Sequence, residues 1–166
     1  MKLKIINFDI KYEKKFFELN IQWLNEYFFV EEYDKKILSN SNKFIIKKGG
    51  EIFFAKLDNE IIGTIALMPI ANNNEFELTK MAVTKAHRNK GIGKILIERC
   101  IKEAKKKQMK RILIYSNKRL ENAIYLYKKY GFKEIHLEKP SPYERADIKL
   151  EPVSYTHLRA HETRYH

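Results

Sequence analysis

Apolar positions along the chain follow two periods, and the switches between them mark out the elements. Residues 2–10 form a short β-favouring run, the first predicted strand. Tyr12, Phe16, Leu19, Trp23 and Tyr27 then recur at spacings of three and four, separated largely by Lys, Glu and Asn, which predicts an amphipathic helix. Its aromatic stripe is suited to packing on a sheet, and part of it to lining a pocket. A second, shorter helix is predicted over 32–38. Gly49 and Gly50 break the pattern. E-I-F-F-A-K-L at 51–57 reads as a strand, Asp58-Asn59-Glu60 as a tight turn, and I-I-G-T-I-A-L-M as the hairpin partner. Pro69 is expected to end that partner near its edge. After a polar turn at 71–75, Phe76 to Val83 completes an antiparallel meander of three strands.

Strict alternation in that last strand puts Glu77, Thr79, Met81 and Val83 on one face and Leu78, Lys80 and Ala82 on the other. A carboxylate at Glu77 is costly inside a sheet unless it is paired or faces a cleft. Both a wet strand start and a reactive cleft fit it. From Gly91 the period returns to that of a helix, with Ile92, Leu96, Cys100 and Ala104 on one stripe and Lys94, Glu98, Lys102 and Lys105 opposite. Arg111 to Ser116 is then a strand, giving a β-α-β unit inside an otherwise antiparallel sheet. A further helix over 120–130 is stopped by Gly131 as its C-cap. F-K-E-I-H-L-E follows as a strand, then a loop at Pro140-Ser141-Pro142, and R-A-D-I-K-L as the last strand before Pro152. One domain over 1–153 is expected.

The chemistry concentrates between Glu77 and Lys107. Gly91 and Gly93 stand at a helix start, where bare backbone lets N–H groups approach a ligand and the positive helix end favours anions. Arg88, Lys90 and Lys94 add positive charge. The spacing is neither a dinucleotide-binding G-x-G-x-x-G after a first strand nor a phosphate loop of the G-x-x-x-x-G-K-[ST] type, because Ile95 follows Lys94. A phosphorylated ligand is expected, a pyrophosphate in particular.

Composition narrows this in a few ways. A chain of 166 residues with 44% apolar and 33% charged residues can build a real core. No apolar run approaches the roughly 20 residues of a membrane span, and the opening M-K-L-K-I-I-N-F-D-I does not read as a signal peptide. A single cysteine, Cys100, falls in a helical apolar register and reads as a buried thiol, so a cytoplasmic compartment is expected. The formal charge of +12 brings a nucleic-acid partner into view as well as an anionic cofactor. The lysines are scattered, however, and the chain is rich in Lys, Asn and Ile throughout, so a nucleic-acid role is the weaker expectation. The end from Ser154, S-Y-T-H-L-R-A-H-E-T-R-Y-H, has no periodicity and resembles a translated sequencing-adapter artefact. Its His157, His161 and His166 have spacings that only superficially suit a metal, and residues 154–166 are set apart from the domain.

R-N-K-G-I-G from Arg88, following the strand end at Ala82-Val83, resembles the R/Q-x-x-G-x-G/A motif of the GCN5-related N-acetyltransferases (GNAT). N-A-I-Y-L-Y-K-K-Y-G-F from Asn122 resembles the second hallmark of that family. W-L-N-E-Y-F from Trp23, G-G-E-I-F-F-A from Gly49, E-L-T-K-M-A-V from Glu77 and Y-E-R-A-D-I-K from Tyr143 are similar to a bacterial subgroup, which also occurs fused to MarR-type regulators. The resemblance covers about residues 3–151. It implies an α/β (α+β) acyl-CoA N-acyltransferase fold, a mixed central sheet of about 6–7 strands flanked by about 4 helices.

The family's co-substrate is acetyl-coenzyme A. The resemblance implies that its diphosphate sits on backbone N–H groups of Arg88, Asn89, Lys90, Gly91, Ile92, Gly93 and Lys94. Its pantetheine arm is implied to pair as an added strand near Met81 and Val83, and Asn122 to contact the cofactor. Tyr127 matches the family tyrosine near the cofactor sulfur and is the candidate general acid, with Tyr125 and Tyr130 as rivals. Glu77 is the candidate base, directly or through water, with His87 as a rival. Close relatives have Gly where this chain has Asn89, a residue that tolerates a left-handed backbone. The activity implied is acetyl transfer to a primary amine of a small molecule or a protein, the aromatic stripe at 12–27 and the loop at 140–145 shaping the acceptor pocket. A non-catalytic CoA-binding regulatory module and a basic nucleic-acid-binding protein are the competing readings. A homodimer is left open, and no membrane partner or metal is expected.

Overall fold

The computed structural model describes residues 2–71 and 74–154. The histidines of the C-terminal stretch, His157, His161 and His166, lie outside the described residues. Strand β1 (Leu3–Asn7) leads through a short 3-10 turn into helix α1 (Glu13–Tyr27) and then α2 (Glu32–Ser39). A π-turn at Asn42–Ile46 precedes the meander β2 (Glu51–Leu57), β3 (Glu60–Ala71) and β4 (Glu75–Val83). Helix α3 (Ile92–Lys106) crosses to β5 (Arg111–Ser116). Helix α4 (Glu121–Lys129), β6 (Phe132–Ile135) and β7 (Ile148–Pro152) follow. The sheet has seven strands in the order β1-β2-β3-β4-β5-β7-β6. The β4–β5 pair is parallel and the others antiparallel, as the β-α-β reading requires.

Each face of the sheet buries one helical layer. Leu96, Ile97 and Cys100 of α3 and Tyr127 of α4 pack on Phe53, Ile65, Leu67, Leu78 and Ile112. Phe16, Leu19 and Leu24 of α1 and Ile37 and Leu38 of α2 pack on Phe54, Ala66, Met68 and Ala82. The helix periods of the sequence are therefore the stripes that meet the sheet.

Four details depart from the sequence reading. Pro69 does not end β3, which continues to Ala71. Beyond Leu67, opposite the first residue of β2, the strand is paired only with β4, and a residue lacking an N–H is tolerated at such an edge. The last strand begins at Ile148, not at Arg145, because Arg145 and Asp147 are drawn into loop contacts: Arg145 with Asp34, and Asp147 as acceptor for the Lys118 amide at 2.8 Å. The strand after Gly131 is likewise shorter than read, Phe132–Ile135 only.

The fourth departure matters most. Between Thr79 and Ala82 β4 carries an extra residue relative to Ala66 and Thr64 of β3. Lys80 absorbs it with φ of 59°, so strict alternation fails there. Leu78 faces the α3 layer while Ala82 faces the α1 layer. Glu77 lies opposite Met68, on the α1–α2 side, whereas Met81 packs towards α3. The bulge thus separates residues that strict alternation put together, and brings Glu77 and Lys80 to one side.

Candidate functional site

Strand β4 pairs with β5 over three residues, Glu75 to Glu77 opposite Arg111 to Leu113. Past Glu77 the strands part, β5 continuing instead with β7. The opening between them is the mouth of a cavity of about 610 Å³. Met81 and Val83 form one wall, Tyr115 and Ser116 another, and α1, the turn before α3 and the start of α4 close the rest. A half-strand without a neighbour offers unpaired backbone groups to an extended ligand.

At one end of the cavity is the turn before α3. Asn89 (φ 61°) and Gly91 (φ 81°) both take left-handed conformations, and Gly91 is the N-cap with no side-chain cap. The first N–H groups of the helix have no acceptor within it and stand beside Gly91, Ile92, Gly93 and Lys94 of the cavity lining. Gly93 is informative for what the turn holds. A Cβ there would meet only the Met81 side chain, Sδ at 3.6 Å and Cε at 3.8 Å, and the position has no positive φ. Neither crowding nor backbone conformation demands glycine, and the bare backbone leaves room for close approach of a ligand. A diphosphate fits this turn.

Of the residues singled out for the cofactor, Met81, Val83, Arg88, Asn89, Gly91, Ile92, Gly93, Lys94 and Asn122 line one cavity; Lys90 does not. The Nε and Nη1 donors of Arg88 are used within the protein. Its Nε bonds the Val83 carbonyl at 2.9 Å and its Nη1 reaches Glu26 at 2.5 Å and the Tyr27 hydroxyl at 3.2 Å. Arg88 therefore ties the end of α1 to the turn. Arg119 acts similarly, donating to the Tyr27 carbonyl and lying 4.4 Å from the Phe28 ring centroid.

Tyr127 reaches the same cavity from α4. Burial first, then Cys100, push its hydroxyl up to about 12, so it holds its proton at neutral pH. Tyr125 is 67% exposed and does not line the cavity. Tyr130 donates to Glu98 at 2.6 Å. Only Tyr127 of the three is placed to act in the cavity. His87 does line it, with Nδ1 2.8 Å from the Thr84 hydroxyl.

Glu77 is not on the cavity wall. It is 1% exposed and its Oε2 has no hydrogen-bond partner. Burial raises its carboxyl above the ordinary range, and the neighbouring Lys80 charge, then the Tyr143 and Thr79 hydroxyls, offset this only in part. Lys80 is on the wall.

Asp34, Lys80, Tyr143 and Arg145 form a charged floor that sequence reasoning did not assemble. Asp34 accepts from Arg145 at 2.7 and 2.9 Å and from the Glu31 amide at 2.9 Å. Burial would raise Asp34, but Arg145 and then Lys80 hold it below its ordinary value. Glu31 accepts from the Glu144 amide and the Arg145 side chain, at 2.9 and 3.0 Å, which pins the loop before β7 onto the start of α2. The available signals were the capping box at Glu31–Asp34 and the Y-E-R-A-D string. Neither says that the two meet. Trp23 and Tyr27 of the predicted stripe do face the cavity, joined by Phe28 and by Tyr143 and Arg145 of the later loop.

A family model described as acetyltransferase (GNAT) family matches residues 8–132. A GNAT-family acetyltransferase structure from Staphylococcus aureus Mu50 is similar, with a TM-score of 0.80 and 25% identity, covering 91% of this chain and 98% of that one. The structure of PaiA N-acetyltransferase from Thermoplasma acidophilum in complex with coenzyme A shares the fold, with a TM-score of 0.69 and 22% identity over 92% of this chain and 99% of that one. A probable N-acetyltransferase 14 from Xenopus tropicalis is 33% identical over 75 residues, which is 45% of this chain and 36% of that protein. The chain thus aligns with about a third of that relative's length. With a parted sheet, an amide-lined turn and this extent of match, the chain belongs to the acetyltransferase (GNAT) family.

Proposed function

We propose that the protein transfers an acetyl group from acetyl-coenzyme A to a primary amine of a small molecule or a protein. The observation that carries the reading is the single cavity joining the turn before α3, the parted edge of β4 and Tyr127. The turn amides of Gly91 to Lys94 hold the diphosphate, β4 around Met81 and Val83 guides the pantetheine arm, and Asn122 borders the same channel. Bound there, the co-substrate supplies a thioester carbonyl open to attack by an amine. Tyr127, protonated at neutral pH, gives its proton to the departing thiolate and regains one from solvent. Trp23, Tyr27, Phe28 and Tyr143 wall the acceptor side, where an apolar or aromatic body is accommodated.

The test is an amine panel with acetyl-CoA, following release of free thiol. Wild-type protein should acetylate at least one class of amine. Tyr127→Phe should lower kcat about 10- to 100-fold while CoA affinity, read by calorimetry, stays close to wild type. Full activity in that variant removes Tyr127 from the chemistry. CoA binding without turnover of any amine would point to a regulatory module instead.

A further inference from the structure

Glu77 and Lys80 were expected on opposite faces of β4, and the bulge brings them to one. Lys80 takes a left-handed conformation that few side chains other than Gly and Asn adopt, and such residues gather at functional sites. Its side chain is 3% exposed, yet it borders the cavity next to Met81. Its contacts are all long: 3.6 Å to Asp34, 3.4 Å to the Tyr143 hydroxyl, and 4.9 and 5.9 Å to the ring centroids of Tyr143 and Tyr33. Asp34 is meanwhile held at shorter range by Arg145. Lys80 is therefore a buried amine on the cavity wall, 3.6 Å from an Asp34 carboxylate that Arg145 holds more closely. Glu77, below it, has an unpartnered Oε2.

We propose that Lys80 is the group that takes the acceptor's proton, with the Glu77 carboxylate beneath it as the counter-charge that stabilises the protonated lysine. The proposal rests on the acetyl-transfer reading above. The acceptor arrives as an ammonium ion. One N–H bond of that ion breaks and one forms on Nζ of neutral Lys80. The neutral acceptor attacks the thioester carbon, a C–N bond forms, and the C–S bond breaks. Tyr127 protonates the sulfur. The second proton lost by the acceptor nitrogen returns to Tyr127 through solvent, and Lys80 releases its proton to solvent before the next turnover.

The groups facing Lys80 act on its proton affinity in both directions. Burial lowers its proton affinity, Glu77 and then Asp34 raise it, and Arg145 lowers it again, the outcome lying below the ordinary lysine value. Tyr33 from α2 and Tyr143 from the loop contribute rings, with Tyr115 of β5 behind Tyr143 at 6.0 Å, and α1 presents Asn20 and Leu24 to the same cavity.

Lys80→Arg separates the roles. Arginine keeps the positive charge and the attraction to Asp34 but does not give up its proton at working pH. With an acceptor found by the amine panel, Lys80→Arg and Lys80→Met should each lose about 100-fold or more in kcat. The rise of kcat/KM with pH should move in both from the Lys80 value to that of the acceptor amine. Titration of protein carrying 13Cε-labelled lysine, with Lys80 assigned by its loss in Lys80→Arg, should show Lys80 titrating below the surface lysines. Glu77→Gln should move it lower still, because a negative neighbour is removed. If Lys80→Met does not fold, Lys80→Arg alone carries the kinetic test. Wild-type kcat and pH profile in Lys80→Arg, or a Lys80 that titrates with the surface lysines, overturns the proposal. Failure of the transfer reading looks different: the wild-type protein itself acetylates no amine.

Discussion

Gly93 shows how a single residue can be assigned by eliminating its structural reasons. Gly91 has a backbone reason to be glycine, a φ of 81°. Gly50 has a packing reason, since a Cβ there would lie 2.5 Å from the Leu67 carbonyl oxygen. Gly93 has neither, and on the reading proposed here its bare backbone serves the approach of the ligand. Gly93→Ala should therefore leave thermal stability close to wild type, since its Cβ finds only ordinary contact with Met81. CoA affinity should fall about tenfold or more, as a methyl group is set among the amides that meet the diphosphate. Calorimetry beside a melting curve checks both halves, and unchanged affinity would remove Gly93 from the cradle. The two glycines look alike in sequence. What distinguishes them is φ and the distance to the nearest atom, and neither is written in a one-dimensional pattern.

At the scale of elements, the loop before β7 and the start of α2 are joined by charge. Arg145 meets both Asp34 oxygens and also Glu31, and all three are largely removed from water. Removing one partner of such a cluster strands the other, so Arg145→Ala should cost about 3 to 5 kcal/mol, read from urea midpoints. The pH dependence has a definite sign. The folded-state pKa of Asp34 is held below its ordinary 3.8. Its stabilisation is complete above that value and is lost as pH falls through the lower, folded one. Asp34→Asn should flatten this acid limb. Glu77 has the opposite sign. Its folded-state value is raised above 4.5, so folding loses stability as pH rises from there through the folded value. Glu77→Gln should accordingly be more stable than wild type at neutral pH, and a less stable variant would show that Lys80, Tyr143 and Thr79 together outweigh the cost of its burial. The joining elements lie more than a hundred residues apart in the chain. Local pattern identifies the capping box at Glu31–Asp34, and it cannot say which distant loop brings the arginine.

For the whole molecule, the sheet is held together on one side of Glu77 and opens on the other, where the proposed co-substrate would complete it. Coenzyme A that bridges the turn before α3 and the parted edge of β4 binds the folded state and not the unfolded chain. At 100 times its Kd it should add about 2.7 kcal/mol and raise Tm by about 5 to 10 °C. The absence of any shift at saturating CoA would count against the fit. The charge of +12 should make this affinity fall as salt rises. Much of this architecture was legible from sequence by itself. The period-three-and-four stripes, the hairpin turns, the glycine turn before α3 and Gly131 as a helix stop are local signals, written by backbone preference and by one-sided burial. They determined the order of elements and, with the two family motifs, the kind of site. Tertiary structure decided what local periodicity does not encode. An extra residue at Lys80, visible only against the register of β3, turned Ala82 and Met81 over. It moved Lys80 to the side of Glu77, and it is Lys80 that borders the cavity. Side-chain facing in a strand is fixed by its neighbours' hydrogen bonds, and a single bulge reverses everything beyond it.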